Sequence, residues 1–220
     1  MKTVKVKICG ITNEKDLEMV CGLGADAVGF VVGVPNSPRN LPLEKAKGLF
    51  RRVPIFVKSV LVTVPQSLED LLKLYENLKP DIIQIHGEFI HETAALKEKI
   101  PDALLVRGVR VKSEWVVQEA VEAANFFDAV HVDSWMVGKY GGTGLTHNWN
   151  VSRRIREAIH PKPLILAGGL NAENVKEAIE TVKPYAVDVS TGVEAKPGVK
   201  DPVKVEAFIK NAKQALLTSD

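Results

Sequence analysis

The feature that most constrains this chain is a regular alternation between short β-branched runs and longer amphipathic stretches. Eight candidate strands lie at residues 4–10, 27–32, 55–62, 82–86, 104–109, 129–133, 164–167 and 186–190. Eight candidate helices follow them, at roughly residues 13–22, 42–52, 66–78, 91–99, 112–124, 150–159, 171–181 and 202–217. Such alternation predicts parallel strands joined by right-handed helical crossovers.

The length of the chain favours one closed barrel. Its 220 residues give about 27 per strand–helix unit, which suffices for a parallel (β/α)8 barrel, or TIM barrel. An open doubly wound sheet is the competing architecture, but eight strands would make it unusually wide, and no Gly-x-Gly-x-x-Gly follows the first strand. Because no linker or low-complexity tract interrupts the pattern, we predict a single-domain α/β barrel spanning residues 1–220.

The composition excludes several classes of protein. The 29 Lys and Arg residues nearly balance the 27 Asp and Glu residues, and no basic run is present, which argues against a nucleic-acid partner. No apolar run approaches the roughly 18 residues that span a bilayer, and the first ten residues lack the apolar core of a signal peptide. Two cysteines are too few for a disulfide scaffold. We therefore expect a cytoplasmic protein with a small-molecule partner and no membrane association.

The polarity of alternate residues predicts which side chains point into the barrel. Residues on the outward face of each strand meet the helices and should be apolar, so the polar alternate set should face inward. These side chains concentrate toward the carboxyl ends of the strands, where barrel enzymes build their sites. The inward set comprises Lys5, Lys7 and Cys9 of the first strand, Gln84 and His86 of the fourth, His131 and Asp133 of the sixth, and Asp188 and Ser190 of the eighth.

Two of these groups are candidates for proton transfer. Cys9 ends the first strand two residues after Lys7, and a nearby cation lowers the pKa of a thiol. The alternative for Cys9 is a small structural side chain, the role we assign to Cys21. Asp133 ends the sixth strand, with a turn or cap residue as its alternative. The first and sixth strands are three apart around an eight-membered ring, so the two groups should flank a substrate-sized gap, as an isomerase requires.

The strand order also predicts a buried ion pair. In a closed barrel the first and eighth strands are neighbours, and each places a charged residue inward. Buried charges have to be paired, because an isolated one costs several kcal/mol or more. We therefore expect Lys7 to contact Asp188.

Two glycine-containing segments predict a phosphate site. Ala-Gly-Gly-Leu-Asn at 167–171 and Asp-Val-Ser-Thr-Gly-Val-Glu at 188–194 follow the seventh and eighth strands. Loops at these positions commonly bind phosphate through backbone N–H groups and the start of a short helix. The alternative is a pair of ordinary strand-to-helix turns.

Other polar residues remain open to two interpretations. Arg39 follows the second strand and would bind a substrate carboxylate bidentately, although a solvated loop arginine is the alternative. His86 and His131 lack the spacing of a metal-ligand set, so we predict no metal. The glycine-rich stretch 134–147 is typical of a mobile active-site loop.

Motifs along nearly the whole chain resemble the phosphoribosylanthranilate isomerase family of tryptophan biosynthesis. Their number, order and placement after the strands make the resemblance specific. It implies a barrel of the ribulose-phosphate-binding type and a cofactor-free Amadori rearrangement of N-(5-phosphoribosyl)anthranilate to 1-(2-carboxyphenylamino)-1-deoxyribulose 5-phosphate. The motifs are Val-Lys-Ile-Cys-Gly-Ile-Thr (6–12), Gly-Ala-Asp-Ala-Val-Gly-Phe (24–30), Ser-Pro-Arg (37–39), Gln-Ile-His-Gly-Glu (84–88), Val-Asp-Ser (132–134), Tyr-Gly-Gly-Thr-Gly (140–144), Ala-Gly-Gly-Leu (167–170) and Val-Asp-Val-Ser-Thr-Gly-Val-Glu (187–194).

The resemblance also implies roles for individual residues. Asp133 takes the place of the general acid and Cys9 that of the general base. Arg39 takes the place of the carboxylate-binding arginine, and Asp188 has a supporting or substrate-contacting role. The residues that take the places of the phosphate loops are Gly168, Gly169, Ser190, Thr191 and Gly192.

Two departures and three rival functions remain. Residues 30–33 lack a second aromatic residue and the third strand reads Lys-Ser-Val-Leu-Val-Thr-Val (58–64), so the anthranilate pocket should be lined differently. A sugar-phosphate epimerase would need metal ligands, and the isomerase of the histidine pathway uses two carboxylates where this chain has Cys9. A non-catalytic phosphate binder would not need Cys9 opposite Asp133. The sequence allows a monomer or a homodimer.

Overall fold

The computed structural model describes residues 3–87, 93–112, 115–134 and 147–215. Eight α-helices and eleven strands lie within these ranges. The helices are α1 (Glu14–Gly22), α2 (Leu43–Phe50), α3 (Leu68–Leu78), α4 (Thr93–Lys99), α5 (Val116–Phe126), α6 (Trp149–Ile159), α7 (Val175–Val182) and α8 (Pro202–Gln214). The strands are β1 (Lys5–Cys9), β2 (Ala27–Val32), β3 (Asn40–Leu41), β4 (Lys58–Thr63), β5 (Ile82–Ile85), β6 (Leu104–Val111), β7 (Ala129–Ser134), β8 (Leu164–Leu166), β9 (Ala186–Val189), β10 (Glu194–Lys196) and β11 (Val199–Lys200).

Eight parallel strands close into a barrel. The order around the ring is β1-β9-β8-β7-β6-β5-β4-β2, and β1 also pairs with β2. Lys7 lies opposite Ala27 on one side of β1 and opposite Asp188 on the other. The predicted (β/α)8 barrel is therefore confirmed, and the open doubly wound sheet is wrong. None of the described helices is long and apolar enough to cross a membrane.

Three short strands lie outside the ring of eight. β3 pairs in parallel with the end of β2, and β10 pairs with β11 in an antiparallel hairpin between β9 and α8. A short 3-10 helix, Thr191–Val193, links β9 to this hairpin. None of these elements was expected from the alternation of apolar residues, because strands of two or three residues are too short to show a period.

The third predicted strand begins too early. The structure starts β4 at Lys58, whereas the prediction began at residue 55. Pro54 opens a turn that the Val57 N–H closes at 2.9 Å, and Ile55 and Phe56 are 90% and 94% exposed on it. Apolar character alone does not distinguish an exposed turn from a buried strand, which explains the error.

The outward and inward faces of the strands differ as predicted. Val6 and Ile8 are fully buried against the helices, in one continuous apolar core. Lys7 and Cys9, on the opposite face, are buried inside the barrel. Lys5 differs, because it lies at the amino end of the barrel, where its side chain is half-exposed and bonds Asp26.

Three aspartates repeat one contact at the amino end of the barrel. Asp26, Asp81 and Asp128 each immediately precede a strand: β2, β5 and β7. Each carboxylate accepts the N–H of a residue near the start of the strand before, at 2.9 Å from Val6, Ser59 and Leu105. A lysine side chain bonds the second oxygen in each case. The contact ties β1 to β2, β4 to β5 and β6 to β7.

We expect Asp26→Asn to lower the free energy of unfolding by about 1–2 kcal/mol at pH 7, because a charged hydrogen-bond acceptor is lost. Burial opposes ionisation of Asp26, but hydrogen bonds from Lys5 and from the Val6 N–H outweigh it and lower the pKa of Asp26. The stabilisation is therefore present above the unfolded pKa near 3.9 and is lost as the pH falls through the folded value.

Urea unfolding between pH 3 and pH 7 measures this effect. The difference in the free energy of unfolding between wild type and Asp26→Asn should become smaller as the pH approaches 3. Glu18→Gln, at an exposed position of α1, serves as the control and should leave the curves unchanged. A gap that is equal at pH 3 and pH 7 would contradict the contribution of the charge.

Candidate active site

A cavity of about 510 Å³ opens at the carboxyl end of the barrel. All nine residues that the sequence predicts for the site line it: Cys9, Arg39, Asp133, Gly168, Gly169, Asp188, Ser190, Thr191 and Gly192. They come from β1, β7 and β9 and from the loops after β2, β8 and β9, so the closure of the barrel alone brings them together. The position of the site is the one expected for this fold.

Cys9 ends β1 inside the barrel. Gly29 of β2 leaves the space for its thiol, since a Cβ at that position would lie 2.8 Å from Cys9 Sγ. Burial raises the pKa of the Cys9 thiol, and the ammonium of Lys7 opposes that rise without overcoming it. Lys7 does lie close enough to favour the thiolate, but burial has the larger effect, so the pKa of Cys9 stays above its ordinary value.

Asp133 lies on a different wall of the same cavity. It belongs to β7, which β9 and β8 separate from β1, and it is a strand residue, not a cap or turn residue. Burial raises the pKa of Asp133, and the nearby His131 opposes the rise. A carboxyl group with a raised pKa retains its proton more readily, and a general acid has to be protonated before it can act.

A buried ion pair lies beneath the cavity. Lys7 Nζ donates to Asp188 Oδ2 and to Gln84 Oε1, both at 2.8 Å, which confirms the predicted pair. His131 Nε2 lies 2.8 Å from the same Asp188 oxygen. Burial alone would raise the pKa of Asp188, but Lys7 and the His131 hydrogen bond hold it well below its usual range. The other oxygen, Oδ1, is buried and has no hydrogen-bond partner among the described residues.

Gln84 extends this network to His86. Gln84 Nε2 lies 2.7 Å from His86 Nε2, and Gly108 leaves room for the imidazole ring. Burial and the neighbouring His131 lower the pKa of His86 well below its ordinary value, so its ring is neutral and accepts from the amide. Within the described ranges, no cluster of three His, Cys, Asp or Glu side chains is placed to hold a metal ion.

The two predicted phosphate loops contact each other. Gly168 and Gly169 have φ angles of 88° and 66°, a backbone region that glycine adopts without strain. A side chain on Gly192 would collide with the carbonyl of Leu170, so the loop after β9 packs directly against the loop after β8. The Ser190 hydroxyl is buried and has no hydrogen-bond partner among the described residues.

Arg39 is buried against the loop after β9. Its Nε and Nη2 donate to the two oxygens of Glu194 at 2.7 and 2.6 Å, and Nη2 also lies 3.3 Å from Thr191 Oγ1. The side chain passes Gly10, where a Cβ would lie 2.5 Å from Arg39 Cδ. The interpretation of Arg39 as a solvated loop residue is therefore wrong.

Sequence reasoning assigned no role to Glu194 or Lys200. Lys200 Nζ donates to Glu194 Oε1 at 3.0 Å and to the Ser190 carbonyl at 3.2 Å. Glu194 ends the motif at 187–194, and a charged residue directly after a glycine loop is the one signal that pointed to it. Lys200 has no such signal, because only the pairing of β10 with β11 brings it to this place.

The predicted mobile loop at 134–147 lies largely outside the described residues, which resume at His147. At its two ends, Ser134 Oγ lies 3.1 Å from His147 Nδ1, and His147 Nε2 bonds the hydroxyl of Ser152 in α6. One imidazole thus joins the end of β7 to α6.

Comparison with known proteins identifies the family. Residues 6–211 match the family described as N-(5'-phosphoribosyl)anthranilate (PRA) isomerase. This chain belongs to the phosphoribosylanthranilate isomerase family. The family is one of isomerases, so the predicted enzyme class is confirmed.

Among the relatives of this chain, the N-(5'-phosphoribosyl)anthranilate isomerase of Methanothrix thermoacetophila is 45% identical over 210 residues, covering 95% of this chain and 98% of the relative. The enzyme of Methanosarcina acetivorans is 43% identical, covering 95% and 93%.

Solved structures of the family share the fold. Phosphoribosyl anthranilate isomerase from Thermotoga maritima matches with a TM-score of 0.84 and 40% identity, over 96% of this chain and 98% of that one. An isomerase in complex with reduced 1-(o-carboxyphenylamino)-1-deoxyribulose 5-phosphate matches with a TM-score of 0.80 and 37% identity, over the same shares. A structure of monomers of the dimeric Thermotoga maritima enzyme matches with a TM-score of 0.82 and 36% identity, covering 96% and 98%.

We expect His147 to make the stability of this family member depend on acid pH. Burial lowers the pKa of His147 to about 4, whereas the unfolded value is near 6.5. The unfolded chain then binds the proton more readily than the folded chain. The contribution of His147 to the free energy of unfolding is therefore complete above pH 6.5 and is lost as the pH falls toward 4. The loss amounts to at most about 3 kcal/mol.

Urea unfolding at pH 7 and at pH 5 tests this expectation. His147→Gln should make the decline in the free energy of unfolding between pH 7 and pH 5 smaller, because glutamine does not titrate, while the buried His86 still contributes to it. His160→Gln, at an exposed position after α6, is the matched control and should keep the wild-type decline. A decline that is unchanged in His147→Gln would show that other groups cause it.

Proposed function

We propose that this chain catalyses the cofactor-free Amadori rearrangement of N-(5-phosphoribosyl)anthranilate to 1-(2-carboxyphenylamino)-1-deoxyribulose 5-phosphate, a step of tryptophan biosynthesis that takes place in the cytoplasm. The observation that carries the proposal is the position of Cys9 and Asp133, which reach one cavity from two non-adjacent strands. The names of the relatives and the ligand named for the related complex support the same substrate.

The phosphate of the substrate binds in the glycine loops. Gly168 and Gly169 present backbone N–H groups without side chains, and Ser190 to Gly192 form the start of a short helix turn. The buried Ser190 hydroxyl has no partner among the described residues, and a phosphate oxygen would satisfy it. Lys204 of α8 also lines the cavity.

Asp133 acts first, as the general acid. Its carboxyl proton passes to the furanose ring oxygen, the bond from C1 to that oxygen breaks, and the nitrogen lone pair forms an iminium with C1. Burial raises the pKa of Asp133, which favours the protonated form that a general acid needs. The ring-opened sugar then carries a new hydroxyl group at C4.

Cys9 acts next, as the general base. The thiolate takes the proton from C2, the electron pair of that bond forms the double bond between C1 and C2, and the iminium becomes a neutral enolamine. A proton added at C1 and the loss of the C2 hydroxyl proton give the ketone. Burial raises the pKa of Cys9, but the ammoniums of Lys7 and Lys200 favour the thiolate, and the cationic iminium adds to their effect.

Asp188 and Arg39 hold the substrate between these two groups. Asp188 Oδ1 is a buried acceptor in the wall of the cavity, and a ribose hydroxyl supplies the missing donor. Its Oδ2 is already occupied by Lys7 and His131, so the carboxylate stays ionised and fixed. Arg39 binds the anthranilate carboxylate through the edge of its guanidinium that faces the cavity.

The rival functions make different demands on the site. A phosphate binder needs the two glycine loops but gains nothing from an acid and a thiol on separate walls. The isomerase of the histidine pathway would use a carboxylate where Cys9 stands. Turnover is assayed with phosphoribosylanthranilate and with the aminoaldose substrate of the histidine-pathway isomerase. The two results separate these functions, and EDTA in the assay tests metal independence in the same measurement.

Cys9→Ala and Asp133→Asn should each lower kcat by about 10²–10⁴-fold, the usual contribution of a general acid or base. The fluorescence of freshly made phosphoribosylanthranilate follows turnover directly. Cys21→Ala on α1, half-buried and outside the cavity, is the matched control for Cys9 and should keep wild-type turnover. Near-wild-type kcat in either site variant would remove the assigned role.

A further inference from the structure

The hairpin of β10 and β11 brings two opposite charges into the wall of the cavity. Glu194 lies directly opposite Lys200 in its register, and the two residues are only 6% and 3% exposed. The hairpin adds no strand to the barrel, so the ring of eight does not explain its presence. Its backbone is tied to α1, since the Lys200 N–H donates to Asp16 Oδ2 at 2.8 Å, whereas the Lys200 side chain reaches the substrate-binding loops and bonds the Ser190 carbonyl.

Two cations share the one carboxylate of Glu194. Arg39 Nε and Lys200 Nζ both donate to Oε1, at 2.7 and 3.0 Å, while Arg39 Nη2 donates to Oε2 at 2.6 Å. The Gly198 N–H also approaches Oε1, at 3.3 Å. These groups together carry one net positive charge in a buried place. Such a charge is costly unless an anion joins it.

The contact with Glu194 fixes the direction of the Arg39 guanidinium. This group is planar, so holding Nε and Nη2 against one carboxylate also sets the position of Nη1. Nη1 makes no hydrogen bond to any residue in the described part of the chain, and Arg39 lines the cavity. Gly10 leaves space for the arginine stem beside β1, which keeps the approach to Glu194 open.

We propose that Glu194 is a positioning residue that aims Arg39 at the substrate carboxylate, with Lys200 holding Glu194 in place. The inference rests on the proposed function and deepens it. Lys200 bonds both Glu194 and the carbonyl of Ser190 in the phosphate loop. The pair therefore also keeps the carboxylate-binding and phosphate-binding arms of the site at a fixed spacing.

A double-mutant cycle of Glu194→Gln and Arg39→Ala tests this role with two probes. One probe is reduced 1-(2-carboxyphenylamino)-1-deoxyribulose 5-phosphate, and the other is its counterpart without the ring carboxylate. For the carboxylated probe, Glu194→Gln should raise Kd by about tenfold or more, and the same substitution in the Arg39→Ala background should add less than about twofold. For the probe without the carboxylate, Glu194→Gln should leave Kd within about twofold.

Steady-state kinetics add a readout that a purely structural role would not move. Glu194→Gln should raise KM for phosphoribosylanthranilate and change kcat much less, because neither proton-transfer group is touched. Glu157→Gln, which breaks the exposed contact with Arg153 on α6, is the matched control and should leave both constants unchanged.

Equal losses of affinity for the two probes, or losses that add fully in the double variant, would overturn the positioning role. Because removal of one buried charge threatens folding, Glu194→Asp is measured alongside. It keeps the charge but is too short to bond Arg39 and Lys200 as Glu194 does, so it should show the same preference between probes. Failure of the proposed function is separate: wild type would then bind the probes without isomerising phosphoribosylanthranilate.

Discussion

The ion pair between Lys7 and Asp188 is the contact on which the site depends. It joins the first and last strands of the barrel at the seam where the sheet closes, since the two residues are direct partners in the register of β1 and β9. Both side chains are about 5% exposed, so neither charge is stabilised by water. Removing one partner of such a pair typically costs about 3–5 kcal/mol, because the other charge stays buried. The pair that joins the two strands at the closure of the barrel therefore also lies in the site.

Burial favours the role of one proposed proton-transfer group and opposes the role of the other. It raises the pKa of Asp133 and of Cys9 alike. For an acid the shift is useful, because it favours the protonated form. For a base it is unfavourable, so Cys9 depends on nearby cations to form the thiolate. The inward lysine of β1 therefore has two effects: it neutralises Asp188, and it favours the charged form of the thiol two residues away.

The strand alternation made much of this arrangement predictable from the sequence. Parity along the strands placed Cys9, Gln84, His131 and Asp133 inside the barrel, because outward positions have to be apolar to meet the helices. The prediction failed at Ile55, where a turn exposes residues that look like part of a strand. These outcomes share one cause. The period of two is a property of regular strands, and it carries no information about turns.

The partner of Arg39 lay beyond sequence reasoning for a different reason. Its contact with Glu194 spans 155 residues and depends on the register of a hairpin of seven residues, 194–200. The overall charge of the chain, +2, gives no hint of it either, since Arg39, Glu194 and Lys200 contribute only one net charge. In the proposed function, local fields of this kind bind an anionic substrate. Backbone N–H groups would bind its phosphate, and the edge of the Arg39 guanidinium that faces the cavity would bind its carboxylate. The near-neutral composition that argued against nucleic acid is thus compatible with a ligand that is negatively charged at both ends.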